Sequence, residues 1–306
     1  MYKKYTHTSW IWILNVIWVF TISCDKIKAP YSRPLFEGMI DTISYPPPSF
    51  SPDYSASRVV LVEDYTGHTC GYCPNAADVL NALTESMPDK IVGLAVHAGE
   101  NFASPKPPEY PNDFRTEAGN AFDNHFGISA AGQPNGMVNR KLFNGNRISP
   151  YSTWQIRAEA LFNSDPVADI QISIKNYYLS SKQEIISYIH VAALKELTGS
   201  FKLGVYIVED SIIAPQKKYI IDSQTGNLIT QYIENYVHMH MLRGHSGPIW
   251  GQTIFSGVIP QGTQVRKDFL IPVRSEWKPK NCKILAIVYD ESNYEVIQAF
   301  EKKFID

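Results

Sequence analysis

The spacing of apolar residues changes near residue 165. Before that point, short apolar runs alternate with segments whose apolar residues recur every three or four positions, which is the spacing of a buried helix face. After it, apolar and polar residues alternate, as in half-buried strands. The first part is thus predicted to contain two strands and three helices, at Val59–Asp64, Asn75–Met87, Lys90–His97, Asp113–Phe126 and Ser149–Phe162. A hairpin of Gly136–Arg140 and Lys141–Ile148, closed around Asn144 and Gly145, is predicted before the last helix.

Seven alternating runs follow Asp165 and Pro166, and turn residues separate them. This pattern is typical of a β-sandwich of immunoglobulin-like type, although the sequence lacks the Cys…Trp…Cys pattern of antibody domains. The predicted fold is therefore an α/β domain followed by an all-β sandwich domain. The seven runs are Ala168–Tyr178, Glu184–Ala193, Lys202–Glu209, Asn235–Arg243, Gln264–Val273, Lys283–Asp290 and Glu295–Phe300.

The N-terminus has the features of a secretory signal. Lys3 and Lys4 precede an apolar run from Trp10 to Ile22, and Cys24 follows it. As a helix this run covers about 20 Å, which is short of the roughly 30 Å hydrocarbon core of a bilayer. Because the run ends at a lipobox-like cysteine, we predict that residues 1–24 are a lipoprotein signal peptide and that Cys24 carries a lipid anchor. An uncleaved signal anchor is the alternative.

The composition of the chain limits the kinds of partner and the cellular compartment that we expect. The 306-residue chain has a net charge of -2 and no basic run, which argues against a nucleic-acid partner. Residues 25–57 carry six prolines and are predicted to form an extended tether, or else an arm that docks on the body. Outside the cytoplasm disulfides persist, and the unpaired Cys282 is expected to be a buried, inert thiol rather than a resolving or intermolecular one.

The segment Cys70-Gly71-Tyr72-Cys73-Pro74 carries the candidate chemistry. It lies between a predicted strand and a predicted helix, so the first sulfur falls at a helix N-terminus. The helix dipole and free N–H groups stabilise a thiolate there, and a thiolate is the species that attacks in disulfide exchange. The sequence contains no second CxxC, and His238 and His240 lack a third ligand, so we expect no metal and no cofactor.

The first domain resembles the thioredoxin-like family over about 100 residues. The resemblance assigns Cys70 as the nucleophile and Cys73 as the resolving thiol. It implies that Asp64, six residues before Cys70, is a buried acid that helps deprotonate the resolving cysteine. It also implies that Pro134, just before a strand, is a cis-proline facing the disulfide. A solvated strand end is the alternative for Asp64, and a solvated loop residue is the ordinary interpretation of His68.

Three motifs lie in the two halves of the chain: residues 60–68 before the CxxC, residues 134–140, and residues 235–244. In these motifs the whole mature chain resembles the outer-membrane-protein-28-related lipoproteins of Gram-negative bacteria. The resemblance implies a lipid-anchored protein of the outer membrane and cell envelope. The predicted organisation is a signal peptide at 1–24, a tether at 25–57, a thioredoxin-like domain at 58–164 and a β-sandwich domain at 165–306.

Two functions remain open from the sequence. In one, Cys70 and Cys73 carry out thiol–disulfide exchange on envelope proteins, with Asp64 aiding proton transfer and Pro134 shaping the peptide-binding edge. In the other, Cys70–Cys73 is a permanent structural disulfide in a non-enzymatic surface binding or adhesion protein. The first function predicts a partly exposed Cys70 sulfur and a deeper Cys73 near Asp64.

Overall fold

Strands dominate the architecture. The computed structural model describes residues 40–305, and this part of the chain contains three α-helices and thirteen strands. The helices are α1 (Cys73–Ser86), α2 (Glu117–Phe126) and α3 (Trp154–Ser164). The strands are β1 (Val60–Thr66), β2 (Ile91–His97), β3 (Asn135–Val138), β4 (Ile170–Leu179), β5 (Glu184–Ala193), β6 (Leu197–Glu209), β7 (Ile212–Ile221), β8 (Leu228–His238), β9 (Met241–Ser246), β10 (Gln252–Ile259), β11 (Gln264–Pro272), β12 (Cys282–Asp290) and β13 (Val296–Lys303).

The three predicted helices are confirmed, with different bounds: α1 begins two residues earlier than predicted, and α2 and α3 begin later. In α1, Pro74 lies in the first turn, where its missing N–H costs nothing, and the apolar residues that follow at helical spacing are buried. Helix α2 begins later than predicted because Thr116 caps it: the hydroxyl of Thr116 accepts a hydrogen bond from the N–H of Gly119 (3.0 Å). It ends at Gly127, whose φ of 69° suits glycine.

The predicted fold class is wrong. The largest sheet has eight strands, in the order β13-β12-β6-β9-β2-β1-β3 with β10 also paired to β6. It therefore takes strands from both sides of residue 165, and no thioredoxin-like domain followed by an immunoglobulin-like sandwich is present. The strands from the two halves of the chain meet where β2 pairs with β9. Ala95 of β2 pairs in parallel with Met241 of β9, and the N–H of Ala95 donates to the carbonyl of His240 (2.7 Å). Residue periodicity carries no information about such long-range pairing.

The middle of the large sheet is buried on both faces. Every residue of β1 and β2 is buried, as expected for a parallel pair covered on each side. Helices α1 and α3 pack on one face of β1, and α2 packs on the other together with residues of β6, β9 and β12. A separate three-stranded sheet, β11-β5-β4, encloses a second apolar core with β6, β10 and β12.

Strands β7 and β8 form a two-stranded hairpin of their own. The sequence pattern missed β7, and it merged the end of β8 with β9 into one strand. The strand breaks at His240, which has a φ of 56°. In residues 40–305 no helix combines the length and the apolar character needed to span a bilayer. The predicted signal peptide, Cys24 and residues 25–39 of the predicted tether lie outside the described residues, whereas residues 40–57 of the tether are described.

Candidate functional site

Cys70 and Cys73 form a disulfide at the junction of β1 and α1. Cys73 is the first residue of α1, and Cys70 lies in the preceding segment, residues 67–72, which we call the disulfide loop. The N–H of Cys70 donates to the carbonyl of Gly67 (3.0 Å), which folds the loop back on itself. Both cysteines are buried, Cys70 at 2% and Cys73 at 1% exposure. The expectation of a partly exposed Cys70 is therefore wrong for this state of the protein.

Asp64 is a buried acid, and the alternative of a solvated strand end is excluded. It lies in the middle of β1, between Ala95 of β2 and Gly136 of β3, and is 1% exposed. Within the described part of the chain neither carboxyl oxygen of Asp64 has a hydrogen-bond partner. Burial raises the pKa of Asp64 to about 8, so the carboxyl holds its proton near neutral pH.

The adjacent carboxylate, Glu63, points to the other face of β1 and is fully paired. Its two oxygens accept hydrogen bonds from Nε (2.9 Å) and Nη2 (2.8 Å) of Arg140, and both side chains are completely buried. The guanidinium of Arg140 also lies over the rings of Phe122 and Phe126. Glu63 is therefore structural, and the two neighbouring carboxyls have opposite environments: one neutralised by an arginine, the other left without a partner.

Asp64 and Cys73 line the same small cavity. The cavity has about 20 Å³ of water-accessible volume, which is enough for one water molecule. His97, His238 and Gln216 also line it. The structure thus brings Asp64 and Cys73, two of the sequence-predicted site residues, to one cavity.

Three histidines lie close together in the same region, and the sequence did not anticipate this cluster. The ring centroids of His68 and His97 are 6.3 Å apart, those of His97 and His238 are 5.6 Å apart, and Phe114 contacts all three rings. Burial lowers the pKa of each ring, that of His238 to about 4. The solvated interpretation of His68 is therefore wrong, because its exposure is 1%.

The cluster is not arranged as a metal centre. In residues 40–305 no group of three or more His, Cys, Asp or Glu side chains has the geometry to hold a metal ion. Two of its members, His97 and His238, instead line the cavity together with Cys73.

The hairpin β7–β8 covers the disulfide loop. The amide of Gln216 donates to the carbonyl of Cys70 (3.0 Å), and the main-chain N–H of Tyr219 donates to the carbonyl of Gly71 (2.7 Å). The ring of Tyr219 lies 4.9 Å from that of Tyr72, centroid to centroid. These hairpin residues belong to the second half of the chain, and no local motif marks them as neighbours of the CxxC.

The remaining sequence-predicted residues are placed as follows. The Gln133–Pro134 peptide bond is cis, as expected, and Pro134 directly precedes β3. Its role at a peptide-binding edge stays a prediction. Cys282 is a free, buried thiol, as expected, and burial raises its pKa to about 12. Cys24 lies outside the described residues.

The family model described as outer membrane protein Omp28 matches residues 119–305, which is more than half of the chain. The chain belongs to the Omp28 family. The family prediction made from the sequence motifs is thus confirmed, and membership places this Omp28-family protein in the outer membrane of the cell envelope. The matched region begins after the CxxC, so family membership by itself assigns no role to the disulfide.

Two solved structures are similar to this Omp28-family chain at low identity. A protein of Agrobacterium tumefaciens is 14% identical, with 81% of this chain and 96% of that chain covered and a TM-score of 0.45. A domain of the outer membrane lipoprotein Omp28 of Porphyromonas gingivalis is 20% identical, with 45% of this chain and 89% of that chain covered and a TM-score of 0.28. No curated protein matches the chain. At these scores neither structure decides the fold.

Proposed function

We propose that this Omp28-family protein exchanges disulfides with other proteins of the cell envelope through Cys70 and Cys73. The observation that supports this is the carboxyl of Asp64, buried without a partner in the cavity that Cys73 lines. A buried polar group without a partner lowers stability by roughly 1–3 kcal/mol. Groups with such strongly shifted pKa values cluster at functional sites, since catalysis needs a proton donor or acceptor poised near neutral pH.

The exchange begins from the disulfide form. A substrate thiolate attacks the sulfur of Cys70, the Cys70–Cys73 bond breaks, and Cys73 leaves as a thiolate that takes the proton of Asp64. A second substrate thiolate then attacks the substrate sulfur of the mixed disulfide and releases Cys70 as a thiolate, which takes a proton from water. The substrate loses two electrons and gains a disulfide, Asp64 is left as a carboxylate, and Cys70 and Cys73 become a dithiol. In the reverse direction the carboxylate of Asp64 accepts the proton of Cys73 as Cys73 displaces the substrate from Cys70.

Trapping of mixed disulfides tests this chemistry. A Cys73→Ala variant keeps the attacking sulfur and lacks the one that resolves the intermediate, so it should accumulate adducts with envelope proteins that a reductant releases. The matched Cys70→Ala variant should accumulate far fewer. Both variants retain the buried Cys282, so they differ only in which sulfur of the pair remains. Equal, near-zero trapping by both variants would contradict exchange.

The burial of both sulfurs favours a second candidate function. With 2% and 1% exposure, Cys70 and Cys73 are shielded as a permanent structural disulfide would be. The protein would then be a non-enzymatic surface binding or adhesion lipoprotein. The reduction potential separates the two functions: structural disulfides typically lie below about -300 mV, whereas catalytic ones lie higher, at about -120 to -270 mV.

We further propose that Cys24 carries a lipid anchor. The basic residues Lys3 and Lys4, the short apolar run and the cysteine that follows it support this proposal. In cells that express Cys24→Ala, the protein should move from the membrane fraction to the soluble fraction of the envelope. Complete retention of the variant in membranes would mean that an uncleaved signal holds the chain instead.

A further inference from the structure

Strand β7 pairs on both of its edges. One edge forms a ladder with β8, in which Lys217 lies opposite Tyr232 and Tyr219 lies opposite Thr230. On the other edge the N–H of Lys217 donates to the carbonyl of His68 (2.9 Å), and the N–H of Tyr219 donates to the carbonyl of Gly71 (2.7 Å). N–H groups of successive residues point to opposite sides of a strand, so those of Lys217 and Tyr219, two residues apart, point to the same side and face the disulfide loop and not β8.

The disulfide loop is shaped to receive the side chains of β7. A Cβ atom added to Gly71 would overlap the ring of Tyr219, so only glycine at this position lets the ring lie on the loop. The ring of Tyr72 meets that of Tyr219 edge to face. On the other side of the loop, the amide of Gln216 donates to the carbonyl of Cys70 (3.0 Å). The loop thus offers main-chain acceptors and a place for one aromatic ring.

The outer part of the hairpin is held weakly. In the described part of the chain, β7 and β8 form no ladder with either of the larger sheets, and most of β8 is exposed. Contacts beyond the disulfide loop include the exposed ion pair of Lys218 with Asp78 (3.6 Å) and a hydrogen bond from the hydroxyl of Tyr232 to the carbonyl of Glu109 (3.2 Å). Exposed ion pairs of this kind contribute little. The hairpin is held more firmly near the start of β7, because Ala214 is buried with Phe114 and Met241.

We propose that the main chain of residues 68–71 is a binding edge for an extended peptide segment with an aromatic side chain, and that β7 is the internal occupant that such a segment displaces. The hydrogen bonds that β7 makes with this edge use main-chain N–H groups, which any extended peptide also has. Displacement uncovers the disulfide at the moment a segment binds beside it. That this segment belongs to a substrate of disulfide exchange rests on the proposed function. The existence of the binding edge does not depend on that function.

The first test measures how quickly the disulfide of the full chain is reduced by excess tris(2-carboxyethyl)phosphine. Tyr219→Ala removes the ring, and Gly71→Ala pushes it away, so each should speed reduction by about tenfold or more, because local opening becomes easier. Ile221→Ala is the matched control on the same strand: Ile221 is 64% exposed, and its loss should leave the rate within about twofold.

The variant that combines Gly71→Ala with Tyr219→Ala gives a sharper test of the contact between the ring and the loop. Once the ring of Tyr219 is gone, a methyl group at Gly71 has nothing to displace, so Gly71→Ala should add no further acceleration in the Tyr219→Ala background. Urea unfolding of all variants checks that global stability has not changed. If the two substitutions speed reduction additively, or if all variants are reduced at the same rate, the proposal that the hairpin is displaced from the disulfide loop is wrong.

The second test measures peptide binding. A fluorescent peptide with the sequence of residues 213–221 should bind the Tyr219→Ala protein about tenfold or more tightly than the wild type, whose own strand occupies the edge. The same peptide methylated on the main-chain nitrogens of its Lys217 and Tyr219 positions lacks both donors and should bind neither protein. Equal binding of the two peptides, or no binding to a variant whose disulfide is reduced quickly, would overturn the binding edge.

A final comparison separates this inference from the proposed function. If the Tyr219→Ala protein binds the peptide and is reduced quickly, yet Cys73→Ala combined with Tyr219→Ala traps no envelope protein, then the binding edge stands and the exchange function fails. If Cys73→Ala traps partners equally well with and without Tyr219, and the peptide does not bind, then exchange stands and the binding edge fails.

Discussion

Replacing Asp64 with asparagine should stabilise the protein at neutral pH and not at acid pH. The pKa of Asp64 is about 8 in the folded protein, against about 3.9 in an unfolded chain. Between these values the folded state keeps a proton that the unfolded state releases. The contribution of Asp64 to stability is therefore complete below about pH 4 and is lost as the pH rises towards 8.

The magnitude follows from the size of this window. Each pH unit is worth about 1.4 kcal/mol, so the wild type should lose about 4 kcal/mol from this group between pH 4 and pH 7. Asparagine imitates the protonated carboxyl in shape and is neutral at every pH. Relative to the wild type, Asp64→Asn should therefore be unchanged near pH 4 and more stable by several kcal/mol at pH 7.

Urea unfolding with the disulfide intact measures this difference at pH 4, 5, 6 and 7. Subtracting the two proteins at each pH removes the titration of all other groups. Asp78→Asn is the control, because it makes the same chemical change at a side chain that is 63% exposed. A difference between Asp64→Asn and the wild type that does not vary with pH would refute the neutral, unpartnered state of Asp64, and with it the proton transfer to Cys73.

Four further outcomes follow from side chains at or near the site. Glu63→Gln should destabilise the protein by about 3–5 kcal/mol in urea unfolding, because the guanidinium of Arg140 stays buried without its counter-charge. Trp154→Ala should lose a similar 3–5 kcal/mol, since Trp154 is completely buried. Between pH 6.5 and pH 4 the wild type should lose about 3 kcal/mol relative to His238→Phe, because the unfolded state protonates His238 while burial keeps it neutral in the folded state. Cys282 should resist a thiol reagent until the protein unfolds.

Local periodicity predicted the elements that depend on neighbours in sequence. Helix α1 and strands β1 and β2 appear where their apolar spacing placed them, because each buries one continuous set of apolar side chains. Glu63 and Asp64 face opposite ways for an equally local reason, since successive side chains of a strand alternate between its faces.

Long-range pairing could not be predicted in the same way. The contact between Ala95 and Met241 joins positions 146 apart in sequence (241 minus 95), and nothing in either segment specifies the partner. The same holds for the hairpin: most of β8 is exposed and it has no buried face to give a clear alternation, so its position over the disulfide depends on hydrogen bonds of the main chain. His68 was misread for this reason, because the residues that bury it come from distant parts of the chain.

Glu63 and Arg140 lie on opposite sides of residue 119, where the region shared with the Omp28 family begins. A fragment trimmed to that region keeps the guanidinium, which does not lose its proton near neutral pH, and discards the carboxylate that neutralises it. The rings of Phe122 and Phe126, at 4.7 and 5.4 Å from the guanidinium, would then enclose an unbalanced positive charge. Glu63 and Arg140 therefore form a single folding unit, which any fragment of the protein has to keep whole or lose whole.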